Sequence, residues 1–130
     1  MVSGGRGMEK IVILGKVPAK SNCYRIGLQG DRRTLVKGPD LTGYEQSFWW
    51  QCRLRGKPGA PLITAPFRLT VDVYFHKRAC DLDNSLKIIL DVLQKPCYVI
   101  DNDNQCAEIH ARKLIDRINP RIEFTIEPLI

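Results

Sequence analysis

At 130 residues, with 44% hydrophobic and 26% charged residues, the chain fits one soluble domain able to bury a core without disulfides or structural metals. No run of about 18 apolar residues occurs, so no membrane span or membrane partner is expected. The formal net charge of +6 makes a polyanion the partner to test first.

Met1–Gly7 is Gly-rich and polar and reads as a disordered tail or cloning remnant ahead of a domain over 8–130. It lacks the charged-then-apolar pattern of a secretory signal. Lys10–Gly15 is a short apolar run ended by Gly, as in a buried strand, and Lys16–Asn22 reads as a loop. Tyr24–Leu28 and Thr34–Lys37 flank Gln29-Gly30-Asp31 as a hairpin with Arg25, Arg32 and Arg33 around its tip. Thr42 and Glu45 match a capping box, so a first helix is expected from there to about Arg55. Gly56–Pro66, with its prolines and glycines, breaks it.

Phe67, Leu69, Val71, Val73 and Phe75 alternate with Arg68, Thr70, Asp72 and Tyr74, which predicts a strand with one buried face. A second helix is expected over about Asn84–Lys95, ended by Pro96. Strands follow around Ala107–Arg112 and Ile122–Ile126. The order points to a single α+β domain with a mixed sheet and two main helices. Five cysteines (Cys23, Cys52, Cys80, Cys97, Cys106) are odd in number, with no C-x-x-C. They suggest neither a disulfide framework nor a zinc site, and fit reduced thiols in a cytoplasmic protein.

Charge is unevenly distributed. Residues 1–80 hold 14 Lys/Arg against 5 Asp/Glu, residues 81–103 hold 2 against 5, and residues 104–130 hold 4 of each. A basic chain with one acidic island suggests a polyanion and a cation together. On a helix, Leu86, Ile89, Leu90 and Leu93 fall within an arc of about 100° expected to face the core. Asp83, Lys87 and Asp91 form a polar stripe beside it, and Asp81 precedes the helix. A second acidic stretch, Asp101-Asn102-Asp103-Asn104-Gln105, precedes a strand. If that strand lies beside 67–75, Asp103 approaches Asp81 and Asp83. Three carboxylates without histidine or cysteine suit a hard divalent ion. Each feature also has a plain structural reading, as a helix cap, an i,i+4 pair or a turn. An EF-hand is excluded, since the position needing Gly is Cys106 and that needing Glu is Arg112.

Asp81, Leu82, Asp83, Asn84, Lys87, Asp91 and Leu93, followed by Asp103 and Gln105, resemble the D-L-D-N-x-x-K-x-x-x-D-x-L and D-x-Q elements of the RusA family of Holliday junction resolvases. Pro18, Ser21, Asn22 and Tyr24 add to the likeness, which runs from about Lys10 to the C-terminus. Only 81–105 is specific. The family shows paired aspartates before x-Q, where this chain has Asn102-Asp103.

The resemblance implies a RusA-like fold and a homodimeric, magnesium-dependent endonuclease, with manganese as substitute. It implies symmetric nicks in four-way DNA junctions during recombination and repair, and a bacterial or phage source. It implies Asp81, Asp83 and Asp103 as metal ligands, with Lys87 at the scissile phosphate or in a salt bridge to Asp83 or Asp91. Asn84, Asp91 and Asp101 would stand around them. Arg25, Arg32, Arg33, Lys37, Lys77 and Arg78 are the candidate phosphate contacts. His76 and His110 are not expected to be catalytic, and Trp49-Trp50 is expected to pack the first helix or a dimer interface. A non-catalytic nucleic-acid-binding module and a phosphoryl-transfer enzyme acting on nucleotides or RNA remain the alternatives.

Overall fold

Nine residues of strict alternation make β4 (Phe67–Phe75) the centre of the fold. Every odd-numbered side chain along it is buried, and so must face a core rather than water. In the computed structural model, which describes residues 9–129, a four-stranded sheet has the order β1–β6–β4–β5. Its other strands are β1 (Ile11–Leu14), β5 (Cys106–Ile115) and β6 (Arg121–Pro128). A separate ribbon pairs β2 (Tyr24–Gln29) with β3 (Arg32–Lys37). The helices are α1 (Pro39–Gln51) and α2 (Leu82–Gln94). The mixed α+β architecture is the expected one, and the expected tail over 1–7 lies outside the described residues. Among those residues, no helix is long and apolar enough to cross a membrane.

Pairing direction decides where the functional residues fall. β4 runs antiparallel to β6 but parallel to β5, with Leu69 opposite Ile109 and Phe75 opposite Ile115. A parallel step needs a crossover, and α2 makes it, returning the chain from the end of β4 to the start of β5. One sheet face packs under the helices through Leu69, Val71, Val73, Ile122, Phe124 and Phe48. The opposite face carries ion pairs: Arg68 with Glu108 and Glu127, Arg112 with Asp72, and Arg121 with Glu123 and Asp116.

Two local expectations need correction. α1 begins at Pro39, capped by Gly38, rather than at the Thr42 box. Proline's fixed φ suits the first helical position, so the helix starts a turn earlier and ends at Gln51. The Thr42 hydroxyl instead donates back to Gly38 O and Pro39 O, and Glu45 pairs with Lys37 at 2.7 Å. In α2 the buried face is Ser85, Ile88, Ile89, Val92 and Leu93, with Leu86 and Leu90 only at its rim. The helix is rotated because Ser85 goes inward, its hydroxyl donating to Asp81 O at 3.1 Å.

Candidate active site

The chain leaves β4 through His76–Cys80 and enters α2 with Asp81 as its N-cap. Three ties hold this corner. Lys113 Nζ, on neighbouring β5, donates to Arg78 O at 2.6 Å and Cys80 O at 2.7 Å. Ser85 closes the first turn, and Asn84 Nδ2 donates to Pro18 O at 3.4 Å, which links α2 to the loop after β1. Asp81 and Asp83 are both exposed, and their carboxyls share a hydrogen bond. That bond holds Asp81 above the ordinary carboxylate range and Asp83 below it. Two carboxyls this close resist a second negative charge, which raises one and lowers the other. A divalent cation relieves the same repulsion. Magnesium usually takes only one or two carboxylates with waters and a substrate phosphate, so the pair fits one.

Asp103 does not join them. β5 starts beside the start of β4, so the turn before it lies at the far end of α2. The Asp103 N–H donates to Oε1 of Gln94, the last residue of α2, at 3.1 Å. A helix of 13 residues separates the two ends, a rise of about 20 Å. Among the described residues, no three His, Cys, Asp or Glu side chains are placed to hold one ion. The expectation that all three aspartates converge within one chain is therefore corrected: the strand does lie beside β4, but in the parallel direction.

The turn bearing Asp103 is tightly built. Gln105 Oε1 accepts from the N–H groups of Asp101 and Asn102, while its Nε2 donates to Ile63 O and Ala65 O. Asn102 caps the turn by accepting from Asn104 N at 3.0 Å. An aspartate would accept that bond equally well, so asparagine at 102 leaves this role intact. Asp101 is exposed. Asp91 is half-buried, and burial raises its carboxyl above the usual range although Lys87 opposes the shift.

Two cavities flank α2. The larger, about 770 Å³, runs between the loop after β1, the start of α1 and the β4–α2 corner, with Lys16, Lys20, Lys77 and Asp81 on its walls. The smaller, about 290 Å³, lies at the root of the ribbon and contains Lys37, Lys87 and Asp91. Asn84 lines both. Lys87 makes no ion pair among the described residues, so the salt bridge to Asp83 or Asp91 is not formed. Arg25, Arg32, Arg33, Lys77 and Arg78 are exposed. His76 Nδ1 is buried without a partner among the described residues, and His110 lies exposed beside Glu108. Trp49 packs on the core under the Arg55 guanidinium, 4.0 Å from its ring centroid, while Trp50 is exposed.

The positioning residues Gln94, Gln105 and Lys113 escape a sequence reading of function. Gln105 belongs to the D-x-Q element, but nothing local tells a turn-building glutamine from a ligand. The role of Lys113 exists only once β5 pairs with β4.

A family model described as endodeoxyribonuclease RusA matches residues 18–127. A crossover junction endodeoxyribonuclease RusA from Aquifex aeolicus (strain VF5) is 33% identical over 126 residues, covering 93% of this chain and 94% of that protein.

Proposed function

The chain belongs to the RusA family of endodeoxyribonucleases, and from that premise we propose that it resolves four-way DNA junctions by paired, metal-dependent nicks in recombination and repair. The observation that carries this reading is the Asp81–Asp83 pair on a braced corner, with Asp81 on the wall of a lysine-lined cleft. Magnesium, with manganese as substitute, is the proposed ion, and Asp81 and Asp83 would hold it. When bound, such an ion neutralises charge on the phosphate and polarises water, the electrostatic help that phosphodiester cleavage most needs.

The chain's own residues do the rest. Lys16, Lys20 and Lys77 draw the DNA backbone into the cleft. Lys87, one turn beyond Asp83 and without an ion-pair partner among the described residues, offers its ammonium to charge developing on the phosphate. Asn84 ties the corner to Pro18 and keeps the cleft's two walls in register.

Asp103 acts in a homodimer. β5 is a sheet edge of ten residues with Ile109 and Ile115 exposed. A two-fold axis across that edge would pair β5 with its copy antiparallel. The partner's Asp103 would then lie toward the Lys113 end, where Asp81 stands. Two such sites match the two equivalent strands of a junction. We place this activity in the cytoplasm of a bacterial or phage-infected cell.

The test is a nicking assay on a synthetic four-way junction with and without magnesium, run beside duplex, single strand and RNA of matching sequence. Symmetric nicks in the junction that vanish on chelation are expected. Binding without nicking would leave a non-catalytic module, and equal cutting of RNA would point to a broader phosphoryl-transfer enzyme.

A further inference from the structure

The β2–β3 ribbon exposes apolar side chains that a soluble domain normally buries. Tyr24 is 50% exposed, Ile26 66%, Leu28 76% and Leu35 71%. The register places them together: Tyr24 faces Lys37, Ile26 faces Leu35 and Leu28 faces Arg33, and residues paired across strands share a face. The other face carries Arg25, Gly27 and Gln29 opposite Val36, Thr34 and Arg32. The ribbon is not part of the four-stranded sheet. An isolated two-stranded ribbon has little stability of its own, and a contiguous apolar patch of this kind marks a binding surface.

Charge decides the occupant. Arg25, Arg32 and Arg33 make no ion pair among the described residues, and the ribbon's one acidic residue, Asp31, sits at its turn. On the apolar face itself Arg33 is the charge without an ion-pair partner among the described residues, since Lys37 at the root is paired with Glu45 of α1. A second copy seated there would bring like charges together, whereas nucleic acid supplies phosphates for the cations and base faces for Tyr24 and the aliphatic chains.

Location adds to this. The ribbon is rooted where Gly38 N donates to Cys23 O at 2.7 Å. Tyr24 and Lys37, at that root, line the cavity that also holds Asn84, Lys87 and Asp91. From there six residues per strand reach about 20 Å outward, roughly the width of a duplex. Apolar side chains that enter DNA must unstack bases, at a cost of a few kcal/mol in continuous duplex and least where stacking is already broken.

We propose that the β2–β3 ribbon selects branched DNA, its face of Tyr24, Ile26, Leu28 and Leu35 inserting against unstacked bases at the branch point while Arg25, Arg32 and Arg33 grip the flanking phosphates. This rests on the junction-nuclease reading above.

The test compares the full-length chain with the triple variant Ile26→Ser/Leu28→Ser/Leu35→Ser, which keeps every charge. Fluorescence anisotropy reads binding to a four-way junction and to a linear duplex of the same sequence at one salt concentration. 2-Aminopurine beside the branch point reads unstacking, and sedimentation reads mass. Duplex binding should hold within about twofold while the preference for the junction falls about tenfold or more. The 2-aminopurine signal of the wild type should disappear at unchanged mass. An unchanged preference and signal overturn the inference, and so does a fall in mass, which would make the face an interface between copies. If the triple variant melts early, Leu28→Ser, at the most exposed of the four, carries the same test with an expected loss of about threefold. A wild-type chain that nicks junctions while the variants match it sinks the ribbon alone. A wild type with no junction preference sinks the function as well.

Discussion

Gln94 holds Asp103 by its main-chain N–H, 3.1 Å from Oε1, at the opposite end of α2 from Asp81. If a metal site spans two protomers, two inactive variants must rescue each other. In a mixed dimer of Asp83→Asn with Asp103→Asn, one site collects both lesions and the other is intact. Equal mixing after unfolding and refolding together should restore nicking to about a quarter of wild-type sites. No rescue, with mixed dimers present by mass, would place Asp103 outside the metal centre.

Asp83→Asn alone should cut nicking by roughly 10²–10³-fold, the scale of several kcal/mol of lost electrostatic help. Junction affinity measured in calcium or chelator should stay within about threefold, since the change leaves every cation that faces a phosphate in place. A variant that still nicks at wild-type rate would reject the assignment.

Arg32→Ala/Arg33→Ala should weaken junction and duplex binding alike. It should also lower the slope of log K against log[salt] by about 2, close to one unit for each phosphate that the two guanidiniums neutralise. A salt titration at several concentrations measures this. An unaltered slope would take both arginines off the DNA.

Acid should expose the Asp72–Arg112 pair. Arg112 donates from Nε and Nη2 to the two Asp72 oxygens at 2.8 Å each, which holds the Asp72 carboxyl below its ordinary range. A depressed folded pKa contributes stability above the unfolded value near about 3.9. That contribution is lost as pH falls through the lower folded value. Thermal melts at pH 7 should show Asp72→Asn destabilised by under about 1 kcal/mol, because Arg112 is largely exposed. The gap to wild type should narrow as pH falls below about 3.9, and a gap that widened instead would contradict the pairing.

Gly56→Ala should cost about 1–3 kcal/mol. A Cβ there would collide with the Tyr98 carbonyl oxygen and lie 2.9 Å from both Ala60 O and Leu62 N, all backbone atoms with little freedom to yield. A melting temperature equal to wild type would mean that the 97–100 segment moves aside easily.

Strand existence is legible in the sequence because period-two alternation is a local property, and both ends of β4 can be placed from it to the residue. Pairing direction is not, since a parallel and an antiparallel neighbour show the same alternation. That difference alone separates Asp103 from Asp81. The buried face of α2 is misleading because leucine spacing outweighs Ser85, whose burial depends on a bond to Asp81 O. The start of α1 misleads in another way: Thr42 and Glu45 have the spacing of a cap one turn inside a helix that Pro39 has already begun. The acidic pair and the basic hairpin are readable because each lies within a few residues of chain.

The ion-paired face of the sheet also bears on how encounters begin. With its carboxylates and guanidiniums already matched, that broad surface exerts little pull on a polyanion, while Arg25, Arg32 and Arg33 on the ribbon and Lys16, Lys20 and Lys77 in the cleft make no ion pair among the described residues. A lopsided distribution of this kind applies a torque during approach. If the ribbon and cleft are the side that takes DNA, the molecule turns that side toward it before contact, and fewer collisions are wasted on the wrong orientation.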